Sequence, residues 1–127
     1  WGHDVTGINT EPDNTFTAIA VGGSVACGLN NQQIVCWRPS ETTDISLLND
    51  IPIGNFDQIV CHGVEACCAI TAENDLNCWG SNIYQMLNVP DESMQEVKIG
   101  ARHICAKDLN VLLHCWGDNA SGQTTLP

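Results

Sequence analysis

Positively charged residues are scarce in this chain of 127 residues. Only 4 Lys and Arg stand against 15 Asp and Glu, which gives a formal net charge of −11. Proteins that hold a nucleic-acid backbone need clustered cations, and two lysines, Lys98 and Lys107, build no such patch. The composition therefore predicts that nucleic acid is not a partner.

Long apolar runs and catalytic signatures are missing as well. No run of about 20 apolar residues occurs, so we expect no membrane insertion in this segment. The sequence has no Gly-rich phosphate loop, no HExxH pair and no GxSxG elbow. Its acidic residues are scattered without the spacing of an acid–base pair. These absences predict a protein that is not an enzyme, with no catalytic residues and no cofactor.

The chain instead repeats one phrase, a Trp followed by a polar stretch and a Pro. The four copies span Trp1–Pro12, Trp37–Pro52, Trp79–Pro90 and Trp116–Pro127. Self-similarity at such a period indicates a repeat architecture, and repeat arrays usually build binding surfaces rather than catalytic clefts. We divide the chain into a linker (residues 1–12) and three repeats (13–52, 53–90 and 91–127).

Each repeat contains a unit that opens on an apolar residue and closes on Cys-Trp. A β-branched residue comes three positions after the opening residue, and a cysteine comes eight positions later. These positions are Phe16, Ile19, Cys27 and Cys36-Trp37; Phe56, Ile59, Cys67 and Cys78-Trp79; and Met94, Val97, Cys105 and Cys115-Trp116.

Every unit is expected to form short strands. Apolar residues alternate with others at its start, as at Ile19 and Val21, and this period of two is typical of a half-buried strand. A break with Gly and a polar turn divide the unit into three strands. A fourth short strand is predicted in the linkers, around Leu47-Leu48, Met86-Leu87 and Thr124–Leu126. Three or four short strands in about 40 residues match one β-propeller blade, so we predict an all-β, propeller-like fold.

The third repeat carries a family resemblance. It runs His103-Ile104-Cys105-Ala106, then Cys115-Trp116-Gly117-Asp118-Asn119, then Gly122-Gln123. This pattern resembles the repeat of the regulator-of-chromosome-condensation superfamily, whose relatives include the type-II β-lactamase-inhibitor protein and crinkly-type receptor ectodomains. The resemblance covers essentially the whole chain and implies a propeller, usually of seven blades.

Two departures from the family pattern stand out. Arg38 replaces the Gly expected after Trp37, which indicates a reshaped second linker. Three repeats are also fewer than the 4–8 blades that close a propeller. We therefore expect an open wedge, part of a larger propeller or a subunit of an oligomeric one, with exposed strand edges that pair with another chain.

The cysteines predict the compartment. Eight cysteines in 127 residues are an even, high count, and no CxxC knuckle of a zinc site occurs among them. We predict equivalent disulfides Cys27–Cys36, Cys67–Cys78 and Cys105–Cys115, with Cys68 reaching Cys61. Such bonds persist in oxidising surroundings, so the protein is expected to be secreted or extracellular.

Aromatic and polar residues of the linkers supply the binding candidates. Trp37, Trp79 and Trp116 are expected to pack between blades. The alternative is a ring of exposed aromatics that stacks on sugars or anchors a protein partner. Loops on a rigid scaffold usually carry binding. The candidate ligand-contact residues are Asn82, Tyr84, Gln85, Asp118, Asn119 and Gln123.

Two weaker motifs complete the candidates. Asn119-Ala120-Ser121 is a glycosylation sequon in a polar linker. His3 would complete a square-planar site for Cu(II) or Ni(II) if Trp1 is the free N-terminus, and no other metal site is predicted. The remaining histidines, His62, His103 and His114, are expected to be structural or solvated.

The sequence thus predicts an extracellular, non-catalytic binding or assembly module. Its expected partners are another protein or further copies of itself. The alternative is a secreted lectin, with glycans as ligands.

Overall fold

The computed structural model describes residues 15–23, 25–37, 48–62 and 66–127, and these form an all-β array. Three antiparallel sheets of three strands follow one another, in the orders β1-β2-β3, β4-β5-β6 and β7-β8-β9. We call them blades 1, 2 and 3. The strands are β1 (Ala18–Gly22), β2 (Val25–Asn30), β3 (Gln33–Trp37), β4 (Phe56–His62), β5 (Ala66–Thr71), β6 (Leu76–Gly80), β7 (Met94–Ile99), β8 (His103–Asp108) and β9 (Leu113–Gly117).

In the described parts of the linkers, the predicted fourth strand is not formed. Residues 81–93 and 118–127 fold as turns and extended segments without strand pairing. Met86 explains why residues 81–93 form no strand, because it is 1% exposed and enters the core between blades 2 and 3. The Leu48 position lies outside any strand, and Leu47 lies outside the described residues. No helix long and apolar enough to cross a bilayer occurs in the described ranges.

A bulge at the start of the first strand explains the apolar spacing of three. In a regular strand, residues three apart point to opposite faces. The register shifts between Phe56 and Gln58 in β4, and between Met94 and Glu96 in β7. The extra residue brings Phe56 to the same face as Ile59, because a bulge reverses the alternation beyond it. Both side chains are buried in one cluster.

Blades pack face to face, and each has a leading face and a trailing face. The leading face points towards the preceding blade and the trailing face towards the following one. Blade 1 presents Val25, Cys27 and Leu29 on its trailing face, and they are at most 3% exposed. They pack on the leading face of blade 2, which carries Phe56, Ile59, Cys67, Ala69 and Trp79.

The second interface repeats the first. The trailing face of blade 2 presents Ala66, Cys68 and Ile70, and all three are at most 2% exposed. They pack on the leading face of blade 3, which carries Met94, Val97, Ile104 and Ala106. The core of the described part of the chain therefore consists of two layers between blades, and each layer depends on both of its blades.

All eight cysteines form disulfides, but the pairing predicted for the second repeat is wrong. The bonds are Cys27–Cys36, Cys61–Cys67, Cys68–Cys78 and Cys105–Cys115. The expected Cys67–Cys78 and Cys61–Cys68 bonds are replaced by Cys68–Cys78 and Cys61–Cys67. Each bond joins residues that face each other directly across two neighbouring strands.

The length of one turn explains the error. Cys27 and Cys105 come eight residues after Ile19 and Val97, whereas Cys68 comes nine residues after Ile59. The connection between β4 and β5 is thus one residue longer, which moves Cys68 into the common position. Because neighbouring strand residues point to opposite faces, Cys67 then lies on the leading face and Cys68 on the trailing face.

Candidate functional site

The leading face of blade 1 is apolar and open. Ile19 and Val21 are 71% and 69% exposed, although they lie in a regular paired strand. Ile59 and Val97 occupy the same register position in blades 2 and 3, and they are only 6% and 1% exposed. The difference follows from packing, because blades 2 and 3 each have a described blade in front of them.

Aromatic side chains extend this open face. Phe16 and Trp37 lie with their ring centroids 5.3 Å apart and their planes tilted by 33°. Phe16 also lies over Gly28, where an added Cβ would approach the ring to 2.5 Å. Gly28 takes the place of Ala69, so the small residue makes room for the ring. Blade 1 therefore presents a face of Phe16, Ile19, Val21 and Trp37.

The trailing face of blade 3 is charged. Lys107 occupies the position of Leu29 and Ile70, which are buried in the other blades. Lys98 likewise takes the place of Val60. The two ends of the described array are therefore chemically unlike.

An ion-pair network organises this charged face. The Lys107 Nζ lies 2.8 Å from Glu96 Oε2, and the Lys98 Nζ lies 3.6 Å from Glu96 Oε1. The hydrogen bond and the charge of Lys107 lower the pKa of Glu96, and Lys98 adds to the effect. Two of the chain's 4 cationic residues are thus placed on one face.

The predicted linker asparagines act inside their own loops. The N–H of Leu87 donates to Asn82 Oδ1 at 2.9 Å, and the N–H of Thr124 donates to Asn119 Oδ1 at 3.0 Å. In each loop the backbone carbonyl of the asparagine also accepts a hydrogen bond. The N–H of Gln85 donates to Asn82, and the N–H of Gly122 donates to Asn119. The side-chain and backbone oxygens of both asparagines therefore stabilise the linkers, and these oxygens are less able to contact a ligand.

The other ligand-contact candidates have local partners too. Tyr84 is half-buried beside the second core layer, and the Arg102 guanidinium lies 4.9 Å from its ring centre. Asp118 Oδ1 accepts from the N–H of Ala120, and Gln123 Oε1 accepts from the N–H of Ser121. Gln85 is exposed and has a φ of 58°. All of these candidates lie in two separate linkers, residues 81–93 and 118–127.

The tryptophans occupy related but unequal positions. Trp79 is 2% exposed and lies in the core layer between blades 1 and 2. Trp116 is half-buried, and its Nε1 donates to the carbonyl of Met86 at 2.8 Å. Gly80 and Gly117, which follow them, both have a φ of 107°. This conformation requires Gly and explains the Trp-Gly pair, whereas Arg38 lies outside the described residues.

A buried acid in the last hairpin was missed by the sequence analysis. Asp108 is 5% exposed, and its Oδ1 accepts from the N–H groups of Asn110 and Leu112. Its Oδ2 lies 3.0 Å from His114 Nε2. The contact with His114 and the Leu112 N–H lower the pKa of Asp108 against the opposing effect of burial. In blade 2, Thr71 occupies the position of Asp108, and its Oγ1 likewise accepts from the N–H of Asp75. Val35 and Asn77 stand at the position of His114, so the repeat pattern gave no signal for the Asp108–His114 contact.

The Asp108 network supports an apolar turn. Val111 has a φ of 67°, which is strained for a β-branched residue. Leu109, Val111, Leu112 and Leu113 are between 51% and 67% exposed. The corresponding turns of the other blades carry Asn31 and Glu73-Asn74 instead. His3 and Trp1 of the predicted copper site lie outside the described residues.

No protein-family model matches the chain, but several solved structures share its fold. The ectodomain of the receptor kinase CR4 from Physcomitrella patens has a TM-score of 0.70 at 26% identity, and it covers 84% of this chain and 30% of that one. The crinkly WD40 ectodomain of ACR4 from Arabidopsis thaliana has a TM-score of 0.66 at 22% identity, covering 83% and 37%.

A yeast protein matches as well. Yeast RCC1 (Prp20), in its complex with Kap60, has a TM-score of 0.70 at 14% identity, covering 94% of this chain and 33% of that one. The chain spans about a third of the length of these three proteins. The neighbours are receptor ectodomains and RCC1-like propellers, and the predicted fold and repeat resemblance are confirmed. The described part of this chain therefore shares the fold of these propellers, as three consecutive blades.

Proposed function

We propose that this chain is a non-catalytic binding and assembly module whose contact surface is the leading face of blade 1. The observation that carries the proposal is the exposure of Ile19, at a position where Ile59 and Val97 are buried by a neighbouring blade. An open apolar sheet face beside aromatic side chains is a typical protein-contact surface. Yeast Prp20, a structural neighbour, has been solved in complex with the protein Kap60.

The chemistry of the face defines its occupant. Buried leading faces in this chain pack on trailing faces with small and aliphatic side chains, such as Ala66 and Ile70. We therefore propose that blade 1 accepts a further blade with an apolar trailing face, whether a longer chain or a partner protein supplies it.

Head-to-tail pairing with a further copy is disfavoured by charge. Such a copy would offer the trailing face of blade 3, where Lys98 and Lys107 would lie against Ile19 and Val21. Burying this network of two ammonium groups and one carboxylate in an apolar layer costs several kcal/mol. We expect the disulfide-intact chain to sediment as a single copy of 13.7 kDa. A head-to-tail dimer or polymer would contradict the assignment of the two faces.

An extended chain tests the proposal directly. Residues 53–78 are placed before Trp1, so that the added Cys78 precedes Trp1 as Cys78 precedes Trp79 in the natural sequence. The matched control carries residues 91–115 instead, which end on Cys115 but bring Lys98 and Lys107. We expect the first extension to raise the unfolding midpoint of blade 1 and to protect the β1 amides from exchange. Equal behaviour of both extensions would contradict the proposal.

An extracellular location is part of the proposal. Four disulfides in a short chain require an oxidising compartment, and two of the structural neighbours are receptor ectodomains. Glycan binding is the weaker candidate, because Asn82 and Asn119 use their carbonyl oxygens within the linkers. A glycan array probed with the wild-type chain and with a Tyr84→Ala variant tests this alternative.

A further inference from the structure

Two disulfides lie side by side where blades 1 and 2 meet. The Sγ atoms of Cys27, Cys61 and Cys67 all lie within 4.8 Å of one another. Cys27 is bonded to Cys36 in blade 1, and Cys61 is bonded to Cys67 in blade 2. A sulfur of blade 1 therefore lies within 4.8 Å of both sulfurs of a disulfide of blade 2.

The close approach is built into the backbone. Gly22 ends β1 beside β4, and a Cβ added to it would lie 2.8 Å from the backbone nitrogen of His62 and 3.0 Å from the Cβ of Cys61. The absence of a side chain at Gly22 lets the two strands come together at the sulfur cluster. Cys27 and Cys67 are fully buried there, whereas Cys36 and Cys61 are half-buried.

This arrangement is peculiar to the first interface. The register position of the Cys61–Cys67 bond is occupied by Val21 and Ala26 in blade 1 and by Ile99 and Ile104 in blade 3. The fold thus needs no disulfide at this position. Among the described residues, the Cys105–Cys115 pair belongs to no comparable group of three sulfurs.

We propose that Cys27–Cys36 and Cys61–Cys67 form a thiol–disulfide exchange site that converts two bonds within blades into one bond between blades. Exchange proceeds by attack of a thiolate on a disulfide sulfur, so the attacking sulfur has to reach the bond that it attacks. The cluster places the sulfurs of the two blades within 4.8 Å of one another, and the half-buried Cys61 gives an external dithiol access to it.

The electrons and atoms balance in two steps. An external dithiol reduces Cys61–Cys67 through a mixed disulfide at Cys61; it becomes a disulfide itself and leaves two thiols in blade 2. The thiolate of Cys61 or Cys67 then attacks Cys27 Sγ, and the bond from Cys27 to Cys36 breaks. Cys36 leaves as a thiolate and takes a proton from water. After both steps, the chain carries one disulfide between blades and two thiols, and it has gained two electrons.

A single substitution tests the exchange without any reductant. Cys36→Ser leaves Cys27 as a thiol beside an intact Cys61–Cys67 bond. The thiol is labelled by alkylation and the disulfide peptides are mapped by mass spectrometry. We expect a Cys27–Cys61 or Cys27–Cys67 peptide, with the free thiol moved into blade 2.

The control and the second variant keep the test decisive. Cys115→Ser leaves Cys105 as a thiol, which is expected to stay in place. If Cys36→Ser fails to fold, Cys61→Ser leaves Cys67 beside Cys27–Cys36, and the free thiol is expected at Cys36. A thiol that stays on Cys27 in the first variant, or on Cys67 in the second, would overturn the proposal. Neither result depends on what the leading face of blade 1 binds.

Discussion

Blades 1 and 2 present the same strand pattern on their leading faces, yet one face is open and the other is buried. Ile19 and Ile59 occupy the same register position, and their exposed fractions are 71% and 6%. The strand pairing is equivalent and the residue is identical. The comparison shows that burial in this array is decided by the neighbouring blade and not by the strand itself.

The trailing faces extend the comparison to the other end. Leu29 and Ile70 are buried between blades, whereas Lys107 takes their position at the end of the described array and pairs with Glu96. The trailing face of blade 3 therefore carries an ion pair, while the leading face of blade 1 exposes apolar side chains.

The largest expected effect comes from the same substitution at the two compared positions. Ile59→Ala should lower the free energy of unfolding by about 2–5 kcal/mol, because it opens a cavity in a packed layer. Ile19→Ala should change it by less than about 0.5 kcal/mol, because the side chain is exposed. Chemical denaturation without reductant measures both. A similar loss at Ile19 would mean that its face is covered.

The disulfide special to blade 2 gives the next effect. Cys61→Val/Cys67→Ala recreates the Val21–Ala26 pair of blade 1 and removes the cross-link between residues six apart. We expect a loss of about 2 kcal/mol, mainly through the unfolded chain. Thermal unfolding measures it. An unchanged midpoint would mean that the Cys61–Cys67 bond adds nothing to the stability of blade 2.

Substitutions in the inner linker (81–93) and in the end linker (118–127) should differ by a smaller amount in their loss of stability. Asn82→Ala removes the acceptor of the Leu87 N–H in the linker that places Met86 in the core, so a loss of about 1 kcal/mol is expected. Asn119→Ala serves as the matched variant in the end linker, and it should be milder because no described blade follows. Equal losses measured by denaturation would contradict the comparison.

The smallest effect concerns pH and the contact between Asp108 and His114 in blade 3. The pKa of Asp108 is lowered in the folded protein by His114 and by backbone N–H groups, so the unfolded state binds more protons. The stabilisation is therefore present above the unfolded carboxyl pKa of about 3.9 and is lost as pH falls through the folded pKa. Unfolding midpoints measured across this range should fall more steeply in the wild type than in Asp108→Asn. Parallel pH profiles would contradict the assignment.

The sequence predicted the repeat units and three strands in each, because alternation and repeated Cys-Trp pairs are local features. It misassigned Cys67 and Cys68, because the turn before β5 has one more residue than the same turn of the other repeats. Counting positions from Phe56 does not reveal this extra residue. It also gave no sign that Ile19 and Ile59 differ, since exposure depends on contacts between repeats. Asp108 was missed because its contact with His114 depends on two residues that differ from those at the same positions of the other repeats.

Ile19→Ala in the chain extended by residues 53–78 tests the central claim most directly. Its effect on the free energy of unfolding is compared with the effect of the same substitution in the unextended chain. If blade 1 accepts a further apolar blade, the loss should rise from within about 0.5 kcal/mol to the roughly 2–5 kcal/mol expected for Ile59→Ala. A loss that stays within about 0.5 kcal/mol after extension would contradict the account.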